Sequence, residues 1–194
     1  MPPPQPPTGP RLDEAFALAR ELHAGQRRKG TAIPYIGHLM AVAALVIEDG
    51  GDEDEAIAAL LHDAVEDQGG PPTLALIRER FGPRVAAIVA ACSDTDETPK
   101  PPWRARKEAY LAHLRAPDLP DGTLRVSLAD KLHNARAILA DARAGHDVFA
   151  RFNAPRQDQA WYYDALARAF AQRAPGPMAD ELRRVVDEVF GSPG

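Results

Sequence analysis

Cysteine is almost missing: Cys92 is the one thiol in 194 residues, which excludes a disulfide framework and a cysteine-rich zinc site. Long apolar runs are missing too. The longest, near Met40 to Ile47, stops far short of the roughly 20 residues that a membrane-spanning helix needs. No stretch shows the sustained alternation of a β-strand, and no segment repeats at a period of about 20–50 residues. A basic surplus is also lacking. The net charge of -5 argues against nucleic acid as the main partner. The chain is therefore expected to contact neither membrane nor nucleic acid and to reside in the cytoplasm, while its oligomeric state stays open.

With 45% hydrophobic and 26% charged residues, the composition is that of an ordinary globular domain. Residues 1–10 hold six prolines and no apolar run, so they read as a disordered, proline-rich tail rather than a signal peptide. Residues 11–194 then form one domain. Leu12, Ala15, Phe16, Ala19 and Leu22 recur at helical spacing and predict a first helix over Leu12 to His23, closed by Gly25. A second runs from about His38 to Glu48. Asp52 and Glu55 form a capping box for a third, expected to continue without a break through Ala58 to Asp67. Further helices are expected from Thr73 to Phe81, from Gly82-Pro83 onward, and over Trp103 to Leu114, Leu124 to Ala142, Pro155 to Gln172 and Met178 to Phe190. The polar, proline-containing stretch Ser93 to Pro102 reads as a loop. These elements predict an all-α fold, a single helical bundle.

The chemistry concentrates in the third helix. Ala58, Ala59, Leu60 and Leu61 are apolar on every side, as in a buried helix, and run straight into His62 and Asp63. A buried ionised carboxylate must be paired or metal-bound. On a continuous helix His62 would stack on Glu66, and Asp63 on Asp67. If His38 and Asp130 converge on the same point, two imidazoles and two carboxylates suit Mn²⁺, Zn²⁺, Fe²⁺ or Co²⁺ better than Mg²⁺. An ion with open positions polarises a phosphoryl oxygen and acidifies water from about 15.7 towards about 7. Glu66 and Asp67 would handle the proton of that water. The cations Arg27, Arg28 and Lys29 would neutralise phosphates, and the Asn134 amide would read a nucleobase edge.

His38, the pair His62-Asp63 and the distant Asp130 resemble the signature of the HD-domain metallohydrolases. Gly25 to Lys29, Pro34 to His38, Ala58 to Asp67, Phe81-Gly82 and Leu128 to Asn134, in that order, resemble more closely the hydrolase domain of the RelA/SpoT homologues. The resemblance implies an HD-type hydrolase domain that uses one Mn²⁺ ion to remove the 3′-pyrophosphate of guanosine 3′,5′-bispyrophosphate (ppGpp or pppGpp), giving GDP or GTP and pyrophosphate. It implies His38, His62, Asp63 and Asp130 as metal ligands, and Glu66 and Asp67 as catalytic acids. It also implies Arg28 on the guanine, Lys29 as a neighbouring substrate contact, Asn134 reading the base and Tyr162 walling the pocket. Nothing after Ala142 resembles a synthetase domain, so the chain is similar to the stand-alone small alarmone hydrolases. Three positions depart from the family pattern: Leu39 replaces a usual proline, Ser127 a frequent lysine and Ala137 a frequent threonine. The departures at the nucleotide leave two other readings open: a phosphatase or pyrophosphatase acting on ppApp, NADPH or a deoxynucleotide, or an alarmone-binding protein without turnover.

Overall fold

The computed structural model describes residues 9–93 and 101–191. The proline-rich tail therefore lies, up to Thr8, outside the described residues, and so do residues 94–100 of the polar loop. Among the described residues there are ten α-helices and one 3-10 turn, with no strand. The helices are α1 (Pro10–Leu22), α2 (Ile36–Glu48), α3 (Glu53–Leu61), α4 (Ala64–Asp67), α5 (Pro71–Phe81), α6 (Pro83–Cys92), α7 (Trp103–Arg115), α8 (Thr123–Arg143), α9 (Arg156–Arg173) and α10 (Pro177–Phe190). The 3-10 turn, Val148–Arg151, was not expected from the sequence. No described helix is long and apolar enough to cross a membrane.

Two helices organise the bundle. Every residue of α3 from Ala56 to Leu61 is buried, because a helix apolar on all sides must be covered on all sides. Accordingly α1, α2, α6 and α8 surround it. The capping box is formed as expected: Asp52 Oδ1 accepts from the Glu55 N–H at 3.0 Å, and Glu55 Oε2 accepts from the Asp52 N–H at 2.9 Å. The second organiser, α8, buries Val126, Leu128, Ala129, Leu132, Ala135 and Ile138 and packs on α2, α3, α6, α9 and α10. Each of the Val, Leu and Ile side chains among them contributes about 1.5–3 kcal/mol when taken from water.

Two expectations need correction. The third helix is not continuous through Asp67. It ends at Leu61, His62 and Asp63 form a turn, and the four-residue α4 starts anew. The His62 imidazole supplies a local reason, since its Nδ1 lies 2.8 Å from the Ala59 carbonyl that the Asp63 N–H would bond in an unbroken helix. The stacked wall of four side chains is therefore absent. In its place, two adjacent residues that a helix would splay about 100° apart serve one centre. The fifth helix begins at Pro71 rather than Thr73. Gly70, at φ +61°, turns the chain, and Pro71 takes the first position, where its missing N–H costs nothing. Thr73 lies inside the first turn and donates its hydroxyl to the Gln68 carbonyl at 2.6 Å.

Candidate active site

His38 enters from the first turn of α2, His62 and Asp63 from the break after α3, and Asp130 from the middle of α8. The structure brings them together. Ligand-capable atoms of His38, His62 and Asp130, all buried, lie within 4.8 Å of one another. His38 Nε2 is 3.2 Å and His62 Nε2 3.6 Å from Asp130 Oδ1. Asp63 stands beside this triad, its Oδ2 3.0 Å from His62 Nε2 and 3.7 Å from His38 Nε2.

The donor set fits a divalent cation. Both Nε2 atoms are buried and, among the described residues, have no hydrogen-bond partner, a costly state for polar nitrogens that an ion between them would relieve. Each donor is held from behind, as metal ligands characteristically are. His62 Nδ1 is fixed by the Ala59 carbonyl at 2.8 Å, so that Nε2 is the nitrogen left to face an ion. His38 Nδ1 lies 2.8 Å from His133 Nδ1. The Tyr35 hydroxyl donates to Asp63 Oδ2 at 2.5 Å. Asp130 accepts from Asn134 Nδ2 at 2.6 Å on Oδ1 and from Lys131 Nζ at 2.7 Å on Oδ2.

Charge follows this geometry. Burial opposes ionisation of Asp130, yet Lys131 and the two imidazoles outweigh it and hold the carboxyl well below its usual range. Asp63 is likewise held low, with burial opposed by His62 and His38. Burial disfavours a charged His62, but Asp63 and Asp130 raise its pKa well above the ordinary value. His133 moves the other way, to about 4, through burial and the proximity of His38 and Arg28. It is a neutral imidazole at physiological pH.

Glu66 and Asp67 follow on α4, half-buried and exposed respectively. Partial desolvation raises the Asp67 carboxyl against the bond from Gln26, and repulsion from Asp63 and Glu66 adds to the rise. Gln26 holds Asp67 in place: its Nε2 donates to Asp67 Oδ2 at 2.7 Å, and its Oε1 lies 2.6 Å from both His23 Nδ1 and Gln68 Nε2. Sequence reasoning did not single out Gln26. A neutral amide beside three cations gives no local signal of its partner on α4.

Two cavities, of about 220 and 260 Å³, share Arg28, Asn134, Ile138 and Phe152, and reach the centre through Tyr35, Lys131 and Asn134, which bond Asp63 and Asp130. The first also carries Lys29, Tyr35 and Arg151, and the second Lys107, Lys131 and Tyr162. Arg28, Lys29, Asn134 and Tyr162 thus line the cleft, whereas Arg27 turns back on its own loop and donates to the Ala32 carbonyl at 2.5 Å. Lys29 Nζ donates to Asn153 Oδ1 at 2.8 Å, tying the basic loop to the segment after the 3-10 turn. Tyr162 is 4% exposed and packs among Trp103, Trp161 and Tyr163.

The HD domain family profile matches residues 15–160. The chain is 36% identical over 132 residues to the bifunctional (p)ppGpp synthase/hydrolase SpoT of Escherichia coli K12, covering 66% of this chain and 18% of that protein. It thus spans under a fifth of the length of that long relative. It is 40% identical over 126 residues to the guanosine-3′,5′-bis(diphosphate) 3′-pyrophosphohydrolase MESH1 of Xenopus tropicalis, covering 63% of this chain and 66% of that one. The fold also matches a solved metazoan orthologue of SpoT, described as hydrolysing ppGpp, with a TM-score of 0.75 at 22% identity over 92% of this chain and 94% of the other.

Proposed function

Because this chain belongs to the HD-domain family and is related to the SpoT and MESH1 hydrolases, we propose that it removes the 3′-pyrophosphate of ppGpp or pppGpp, using Mn²⁺. The observation that carries this reading is the juxtaposition of a buried His, His, Asp cluster with a cleft lined by Arg28, Lys29, Lys107 and Lys131. A divalent ion held by His38, His62, Asp63 and Asp130 supplies Lewis acidity at a phosphoryl oxygen and an acidified water.

The chain's own residues do the rest. Arg28 and Lys29 offset phosphate charge, and the planar Arg28 guanidinium also suits the face of a base. With Asn134 Nδ2 committed to Asp130, its amide oxygen remains as the acceptor for a nucleobase N–H. Tyr162 closes the second cavity as an apolar wall. Asp67, its carboxyl raised chiefly by burial and further by Asp63 and Glu66, accepts the proton of the attacking water together with Glu66 and passes it to the 3′-oxygen of the nucleotide, which leaves as a hydroxyl as its bond to phosphorus breaks.

The test is a substrate panel with Mn²⁺: ppGpp, ppApp, NADPH and deoxynucleotides, with products resolved by anion exchange. The proposal expects GDP and pyrophosphate from ppGpp as the favoured reaction. Turnover confined to another nucleotide, or stoichiometric binding without turnover, contradicts it.

A further inference from the structure

From the His38 to His133 contact we infer that His133 is a positioning residue of the metal centre, fixing the tautomer and rotation of His38. The inference rests on the metal reading but not on the identity of the nucleotide.

The two Nδ1 atoms are 2.8 Å apart, a hydrogen-bond distance, so one ring donates and the other accepts. A neutral imidazole carries one N–H. If His38 is to offer Nε2 to an ion, its proton must sit on Nδ1, and His133 Nδ1 must then be the acceptor. The rings are close enough to lock each other, with centroids 4.9 Å apart. His38 is buried to 1% exposure, and its Nε2 makes no hydrogen bond among the described residues, with Asp130 Oδ1 standing 3.2 Å and Asp63 Oδ2 3.7 Å from it. His133 is therefore the hydrogen-bond partner of the His38 ring, and the contact that favours the proton on Nδ1.

The placement is economical. On α8, Asp130, His133 and Asn134 stand at i, i+3 and i+4, which puts them on one face. A single helix face thus contributes a ligand, the amide that holds that ligand through Oδ1 at 2.6 Å, and the imidazole that holds a ligand on α2. His62 has a backbone carbonyl for the same purpose. His38 has no such carbonyl and depends on a side chain, so the dependence can be tested by substitution.

The experiment uses the full chain in three forms: wild type, His133→Phe and His133→Asn. Phenylalanine keeps a ring without an acceptor, while asparagine can present its amide oxygen near the Nδ1 position. Two readouts are taken, neither of them activity. The first is Mn²⁺ affinity by calorimetric titration, alongside the thermal midpoint of the metal-free chain. Loss of such an outer partner weakens metal binding about 10- to 100-fold, so His133→Phe is expected to fall in that range and His133→Asn to stay within about 3-fold of wild type. The second readout is the ¹⁵N spectrum of the His38 ring in metal-free protein, which should show Nδ1–H in wild type and His133→Asn. Wild-type Mn²⁺ affinity in a folded His133→Phe chain overturns the inference. So does a His38 ring protonated on Nε2 in the wild type, and this holds even if His133→Phe does not fold. Mn²⁺ binding with the expected pattern but no turnover of ppGpp leaves the inference standing and removes only the substrate reading.

Discussion

Replacing Arg125 with methionine should destabilise the fold severely and loosen the metal centre with it. Arg125 Nη1 donates to both oxygens of Glu55, at 2.7 and 2.6 Å, and its Nε donates to Asp49 Oδ2 at 2.9 Å. Glu55 is 4% exposed, and the backbone encloses it. A Cβ added at Gly122 would lie 2.6 Å from one carboxylate oxygen, and one added at Gly51 would lie 2.9 Å from the other. Without Arg125 the buried carboxylate keeps the Asp52 N–H at 2.9 Å and a distant Arg84 at 4.0 Å. Breaking a buried ion pair from one side costs about 3–5 kcal/mol, and the remaining Asp52 bond places the expectation near the lower end. At about 2–4 °C per kcal/mol for a chain of this size, the melting midpoint should fall by roughly 6 °C or more. The assay is urea and thermal unfolding of the metal-free protein, with Glu55→Gln added in the same background. That second change removes the stranded charge and should recover about 1 kcal/mol or more. Because Glu55 and Arg125 join α3 to α8 upstream of His62 and Asp130, Mn²⁺ affinity should also drop at temperatures where the variant is folded. A loss of stability under about 1 kcal/mol, or a double variant less stable than Arg125→Met alone, would refute the reasoning.

Other outcomes follow from the same geometry. Metal binding should release a proton near neutral pH. In the metal-free chain His62 is held charged well above 6.5 by Asp63 and Asp130 against the opposing effect of burial, and the ion must displace that proton. Calorimetry in buffers of different ionisation enthalpy measures the release, and Mn²⁺ affinity should rise with pH until the raised folded-state value is passed. The same shift gives the sign for folding: the His62 contribution is fully present below about 6.5 and is lost as pH rises through the folded pKa. Asp67→Asn should lower turnover about 10²- to 10⁴-fold while leaving Mn²⁺ affinity near wild type, as steady-state kinetics and titration would show. Gly122→Ala should destabilise the chain beyond an ordinary surface change, since Gly122 sits at φ +91° and its added carbon meets Glu55. A thermal melt checks this directly.

What the sequence made legible was what local chemistry decides. The capping box of Asp52 and Glu55, the proline that opens α6, and the periodic cores of α1 and α8 act within one or two turns, and each predicted helix except the third lies within about two residues of its place. His38, His62 and Asp130 were legible because buried imidazoles and a carboxylate in apolar helices demand an explanation. The break at His62 was not, because it involves an imidazole competing for a backbone carbonyl, which leaves no mark on hydrophobic periodicity. Nor were the roles of His133 and Gln26, whose partners lie on other helices and become visible only once α2, α4 and α8 are packed. Arg27 shows the converse: charge alone suggested a phosphate contact, while its side chain closes its own loop.

The most direct test of the proposed chemistry is turnover of ppGpp with Mn²⁺ in H₂¹⁸O, followed by ³¹P spectroscopy. Water attack on the phosphorus next to the ribose 3′-oxygen predicts GDP without label and pyrophosphate carrying one ¹⁸O. Labelled orthophosphate, label retained in the nucleotide, or no turnover in a chain that binds Mn²⁺ would contradict the account.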